Sequence, residues 1–182
     1  PFAFDVGTLD ALLLTHAHLD HCGRTPALAK AGFRGPIHAT RATVDLAEIV
    51  LRDSAKLQVE FAERWNRRQQ RKAEKAEQRA AEVESEAVAT DVETDDESLP
   101  ERMRHAAPEG RTTTREPLYD EHDVQRAMEQ MRGCDYGEQV SITDGVTAVF
   151  HDAGHILGSA IIELPLRDGG VARTVVFSGD LR

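Results

Sequence analysis

The apolar run Ala11-Leu12-Leu13-Leu14 breaks off into Thr15-His16-Ala17-His18-Leu19-Asp20-His21, and this junction constrains the chain more than any other stretch. A strand that stops abruptly and hands three imidazoles and a carboxylate to a loop reads as the floor of a metal site. These are donors that suit zinc and its first-row neighbours. In extended backbone alternate side chains share a side, so His16 and His18 can reach one ion. Asp20 and His21 lie past the strand end, where the chain can turn them toward a second. The bland alternative is a solvated histidine-rich loop, but a chain with eight histidines in all seldom concentrates three of them this way by chance. A closed structural zinc site is disfavoured because such sites usually recruit cysteine, and Cys22 and Cys134 form no CxxC pair.

Two later segments extend the donor set. Asp152-Ala153-Gly154-His155-Ile156-Leu157-Gly158-Ser159 sets a histidine between glycines after the strand-like run Val146 to Phe150. Gly154 and Gly158 would let the backbone pass close to a metal centre without side-chain obstruction. Val175-Val176-Phe177-Ser178-Gly179-Asp180 is another apolar strand, ending in a carboxylate well placed to bridge two cations. Taken alone, Asp180 is a turn residue and His155 a core histidine; alongside the first cluster, both become ligands.

The order His-x-His-x-Asp-His, Gly-His, Ser-Gly-Asp resembles the metallo-β-lactamase superfamily of binuclear metallohydrolases. The flanks "LLLTHAHLDHCGRTPAL", "GPIHAT", "DAGHILGSA" and "VVFSGDL", with "LRDSAKLQ" and "EPLYDEHDV", look like its β-CASP branch of RNA-processing nucleases. That resemblance implies part of a four-layer αββα sandwich. It implies one metal on His16, His18 and His155, and another on Asp20, His21 and Asp180, with Asp180 bridging. Asp20, His21 and Asp180 would be the catalytic members. The implied cofactor is Zn2+, two per complete site, roughly 3.5–4 Å apart, with a bridging hydroxide attacking phosphorus. In the family an earlier set of strands precedes the first motif, and a β-CASP domain follows the last with a further zinc-ligating histidine and a histidine proposed as general acid. The chain is therefore expected to be partial, lacking the β-CASP domain, and nearly inactive by itself.

The net charge of −10 has the wrong sign for a nucleic-acid enzyme, but it is localised. From Glu82 to Glu101 there are nine acids and no Lys or Arg, and without them the remainder is close to neutral. Just before, Arg64 to Arg79 is strongly basic; it could touch RNA phosphate, although a solvated helix face is the commoner fate of such a run. The expected organisation is a first core part, 1–66, a charged insert, 67–115, and a second core part, 116–182. Within the insert, Arg67 to Ala81 has helix formers and i,i+4 charge pairs, and Glu82 to Arg115 reads as disordered or weakly ordered.

Around the insert the patterning is α/β. Strands are expected at Ala11–Leu14, Pro36–Ala39, Val140–Ile142, Val146–Phe150, Ala160–Leu164 and Thr174–Phe177. Helices are expected at Arg24–Ala31, from Thr43 past Trp65, and at Asp123–Met131. His38 is expected to pack or to support a ligand, His151 to miss the site, His105 and His122 to be exposed, and Cys22 to be a packing residue. Two unrelated cysteines imply no disulfide framework and a cytoplasmic setting. No apolar run reaches membrane-spanning length. The expected partner is single-stranded RNA, with a homodimer or an RNA-processing complex also open. The alternatives are a hydrolase of a small thioester, lactone or lactam, and a non-catalytic scaffold. The Gly-His-Ile-Leu-Gly-Ser context speaks against the former, and the intact donors against the latter.

Overall fold

The computed structural model describes residues 2–89 and 114–181. Its contacts divide into two compact units, Pro1–Val59 with Pro117–Arg182, and Glu60–Glu116.

The first unit is an α/β arrangement with two sheets. Strands β1 (Leu12–Leu13), β2 (Ile37–Thr40) and β3 (Met131–Cys134) form a parallel sheet in that order, with Leu12 opposite Ile37 and Ile37 opposite Met131. Strands β4 (Gln139–Thr143), β5 (Val146–Asp152), β6 (Ala160–Asp168) and β7 (Val171–Phe177) form an antiparallel meander. The helices are α1 (Leu19–Cys22), α2 (Thr25–Lys30), the start of α3 (Arg41–Ala89), and α4 (Glu121–Gln130).

Side-chain alternation assigns the layers. Ile37 and Ala39 of β2 are buried with Phe33, Leu28, Leu51, Tyr119 and Val124, so this face of the parallel sheet packs on helices. Leu13 and Cys134 instead join Ala148, Phe150, Ala160 and Ile162, so the opposite face packs on the meander. In β5 the buried Ala148 and Phe150 alternate with more exposed Val149 and His151, the two-residue period of a half-covered strand. Helix, sheet and sheet thus stack as part of an αββα sandwich.

The helices start and dock for identifiable reasons. Thr40 Oγ1 accepts from the Thr43 N–H at 3.2 Å, the bond an N-cap makes at the head of α3. Thr43, Ala47, Leu51 and Ala55 recur every four residues and are all fully buried or nearly so, a single stripe facing the core. Burying a side chain such as Leu51 stabilises the unit by roughly 1.5–3 kcal/mol. At α4, Asp120 and Asp123 form a reciprocal capping box. Asp123 is buried and is paired with Lys30 and Arg126, which balances its charge.

In the second unit α3 continues with Glu60–Arg64 and Glu63–Arg67 pairs at i,i+4. The returning chain is held at Arg115: the Asn66 side chain donates to its carbonyl at 3.0 Å and accepts from its N–H at 2.8 Å. The Arg115 guanidinium also lies 4.8 Å from the Phe61 ring centroid.

Three features depart from the sequence reading. Residues 82–89, expected to be weakly ordered, continue α3, in keeping with their Glu and Ala content; the remainder of that acidic and Thr-rich stretch, 90–113, lies outside the described residues. Met131, expected to end a helix, begins β3, whose four residues are too short for a periodic signal. Asp20 and His21, expected in a loop, occupy the single helical turn α1.

Candidate metal centre

The site stands where strand ends from both sheets meet. β1 ends at Leu13, and Leu14 to His18 leaves it in the direction of the meander, tied there by the Ala160 N–H to Thr15 carbonyl bond of 2.8 Å. Residues 153–159, between β5 and β6, carry His155. Asp180 follows β7. Gly179 comes so close to Thr15 that an added Cβ would lie 2.9 Å from the Thr15 Cβ; its φ of +55° is likewise glycine's own.

His16, His18, His155 and Asp180 converge, with one ligand atom from each lying within 4.8 Å of all the others. His16 Nε2 and His155 Nε2 stand 3.2 and 3.1 Å from His18 Nδ1. Two nitrogens on one zinc, each at the usual bond length and at a tetrahedral angle, stand about 3.3 Å apart. Three imidazole nitrogens and a carboxylate oxygen so arranged suit a divalent first-row cation.

Asp180 faces two ways. Its Oδ2 lies 3.8 Å from His16 Nε2 and 3.7 Å from His155 Nε2, while its Oδ1 lies 3.4 Å from His21 Nε2. His21 Nε2 is also 3.6 Å from Asp20 Oδ2. Asp20 and His21 are thus outside the four-residue convergence; His21 stands beside the other oxygen of the same carboxylate, and Asp20 beside His21. Asp20 is largely exposed and His16 almost fully buried, so the donors grade from core to solvent.

Burial holds the His16 imidazole below its ordinary value, with the His21 and His18 rings adding to the effect and Asp180 opposing it. The neutral ring is the ligating form. His16 Nδ1 lies 3.1 Å from Thr15 Oγ1. With the Nδ1 proton donated to that hydroxyl, the Nε2 lone pair faces the cluster.

The supports of His155 escaped the sequence reading. Ser159 Oγ, buried, accepts from the N–H groups of His155 and Ile156 at 3.1 and 3.2 Å. Tyr136 donates to the Ser159 carbonyl at 2.9 Å. Thr40 and Thr43 both donate to the Gly158 carbonyl, at 2.6 and 2.7 Å. The only signal was the proximity of Ser159 to the Gly-His motif; the threonine and tyrosine contacts join residues more than 20 apart. Gly158 lies against α3, where its Cβ would meet Thr43 N at 2.5 Å, and Gly154 has nothing within 4 Å of its Cβ position. The expectation that both glycines clear space beside a metal is corrected: Gly158 makes room for a helix.

Other candidates lie apart. His151 pairs with Glu163 at 2.8 Å on the outer face of the meander. His38 is buried in β2 and its Nε2 has no partner. His122 is exposed at the start of α4, and His105 lies outside the described residues. The Cys22 thiol donates to the Ala17 carbonyl at 3.4 Å, and burial pushes its pKa up to about 11.

Residues 2–182 match the sequence model described as "Metallo-beta-lactamase superfamily". Among curated proteins, the chain is similar to "Ribonuclease TTHA0252" of Thermus thermophilus, 33% identical over 100% of this chain and 28% of that protein. It is also similar to "Transcription termination factor FttA" of Methanosarcina mazei, 30% identical over 100% of this chain and 20% of that protein. The chain thus spans less than a third of the length of either relative. Among solved structures, the metallo-beta-lactamase SMB-1 with mercaptoacetic acid aligns over 96% of this chain and 44% of its own, with 17% identity and a TM-score of 0.45.

Proposed function

Because the chain belongs to the metallo-β-lactamase superfamily, we propose that it carries the metal-binding half-site chemistry of an RNA-cleaving hydrolase, acting on phosphodiester bonds of single-stranded RNA with two zinc ions. The observation that carries this reading is the two-faced Asp180 carboxylate, one oxygen toward His16 and His155 and the other toward His21. The printed names of the relatives, a ribonuclease and a transcription termination factor, support RNA as the substrate and the β-CASP branch as the subgroup.

His16, His18 and His155 would hold one cation, Asp20 and His21 the other, and Asp180 both. A bound pair of divalent cations supplies Lewis acidity and activates water at neutral pH. The chain's own residues do the rest. Thr15 would fix the His16 tautomer by accepting the Nδ1 proton, and burial, the largest cause of the lowered His16 pKa, favours the neutral ring. Ser159 fixes the backbone that presents His155. The exposure of Asp20 and Asp180 leaves the outer side of the cluster open to a bulky phosphodiester.

The test uses the full-length protein. Plasma mass spectrometry after dialysis should give two zinc ions per chain, and a labelled RNA oligonucleotide should be cut while a β-lactam and a thioester are left intact. Asp180→Asn should lower RNA cleavage at least ~100-fold and weaken both ions, since one carboxylate serves both. Thioester or lactam turnover with untouched RNA, or a zinc-free active protein, would overturn the proposal.

A further inference from the structure

An open groove of about 490 Å³ is lined by His155 together with residues of the head of α3, the end of β3 and the loop 152–158. That is the size of sites holding small organic molecules, ~300–1,000 Å³. We propose that it seats one unpaired base of an RNA strand, the base flanking the phosphate under attack. The proposal rests on the reading of the chain as an RNA hydrolase and adds to it a subsite.

Three observations carry it. The first is continuity: His155 belongs both to the donor cluster and to the groove wall. A strand with its phosphate at the cluster therefore has a neighbouring base within reach of the groove. The second is the charge of the lining, one guanidinium, Arg41, against two carboxylates, Asp135 and Asp152. Arg41 is already paired with Asp135 at 3.0 Å. Such a lining repels a phosphate group and accepts from the amino and imino groups of a neutral base. The third is apolar surface in the right place. Leu157 is 71% exposed and Tyr136 44% exposed. Leu157 and Tyr136 therefore offer apolar and aromatic surface to a flat ring.

The walls are already organised. The Tyr136 hydroxyl is held by the Ser159 carbonyl, and the loop bearing Leu157 is pinned through Gly158 to Thr40 and Thr43. A base entering the groove meets surfaces with little freedom left to lose, the condition under which stacking contributes most to affinity.

The experiment measures kcat/KM of the full-length protein on a short oligoadenylate and on the same RNA made abasic beside the cleaved bond. Leu157→Ala changes an exposed side chain and leaves the fold in place. It should lower the ratio of intact to abasic RNA kcat/KM several-fold, within the ~5- to 100-fold span of a whole base-stacking contact. Tyr136→Ala should act in the same direction, with Tyr136→Phe restoring most of the ratio. The parent should discriminate against the abasic RNA by a factor within that span, and Leu157→Ala less. Ratios within twofold of the parent in both alanine variants, or equal use of intact and abasic RNA by the parent, overturn the subsite while leaving the hydrolase reading standing. A parent that cleaves a thioester and no RNA removes both.

Discussion

His38 shows how much a single residue's fate depends on what stacks behind it. It lies on β2 opposite Leu13 and Arg132, on the face that meets the second sheet, and its Nε2 is buried without a partner. Burial, with the Arg132 charge adding to it, depresses its pKa from the ordinary 6.5. The sign follows: the unfolded ring takes its proton near 6.5, the folded ring only at lower pH, so the folded state binds fewer protons in that window. Stability of the metal-free protein should be full above about pH 6.5 and fall as pH drops below it. His16 contributes in the same direction. A urea-denaturation series from pH 7.5 to 5 should show the slope, and His38→Leu should flatten part of it; an unchanged slope would count against this account. The sequence could offer His16, His18, Asp20, His21, His155 and Asp180 as candidate donors because ligand chemistry belongs to the residue itself, and the fold brings His16, His18, His155 and Asp180 together. The roles of Ser159 and Tyr136 were not legible, because they act through backbone groups of residues the pattern does not mark.

At the scale of elements, the loop between β5 and β6 is held by backbone geometry as much as by side chains. Gly158 has a φ of +82° and leaves no room for a Cβ beside Thr43, whereas Gly154 has a φ of +67° and open space around it. Gly158→Ala should therefore cost both backbone strain and a clash, roughly 2–4 kcal/mol, and Gly154→Ala backbone strain alone, about 1 kcal/mol. Thermal unfolding of the two variants side by side checks this, and equal losses would show that the packing on α3 is unimportant. The elements with long periodic patterns, α3, β5 and β6, were legible. Strand β3 was not: Met-Arg-Gly-Cys has no period to detect, and Gly133 is there because the Arg41 side chain crosses it, with its Cγ 3.1 Å from where a Cβ would stand.

At the scale of the molecule, every proposed donor lies in the unit Pro1–Val59 with Pro117–Arg182, while the Asn66–Arg115 contact lies within Glu60–Glu116. Those two hydrogen bonds bring the ends of residues 67–114 together, so a short linker can replace them at a small loop-closure cost. Excising 67–114 in favour of a few glycines should leave far-ultraviolet circular dichroism of the remaining elements and zinc stoichiometry unchanged; loss of folded protein would show the excursion to be structural. Composition sets residues 67–115 apart as a charged stretch, while Asn66, whose side chain holds Arg115, could not be picked out of a run of arginines and glutamines. The split of the donors along the chain also has a consequence in time. Four of the proposed donors emerge from the ribosome together, and the carboxylate proposed to join their two groups follows 159 residues after the last of the four, His21. At ~5–20 residues per second that is a delay of roughly 8 to 32 seconds. On the proposed assignment the nascent chain would display an open histidine cluster with no bridging partner throughout it, and tight metal capture would be deferred until nearly the whole of this stretch has been made.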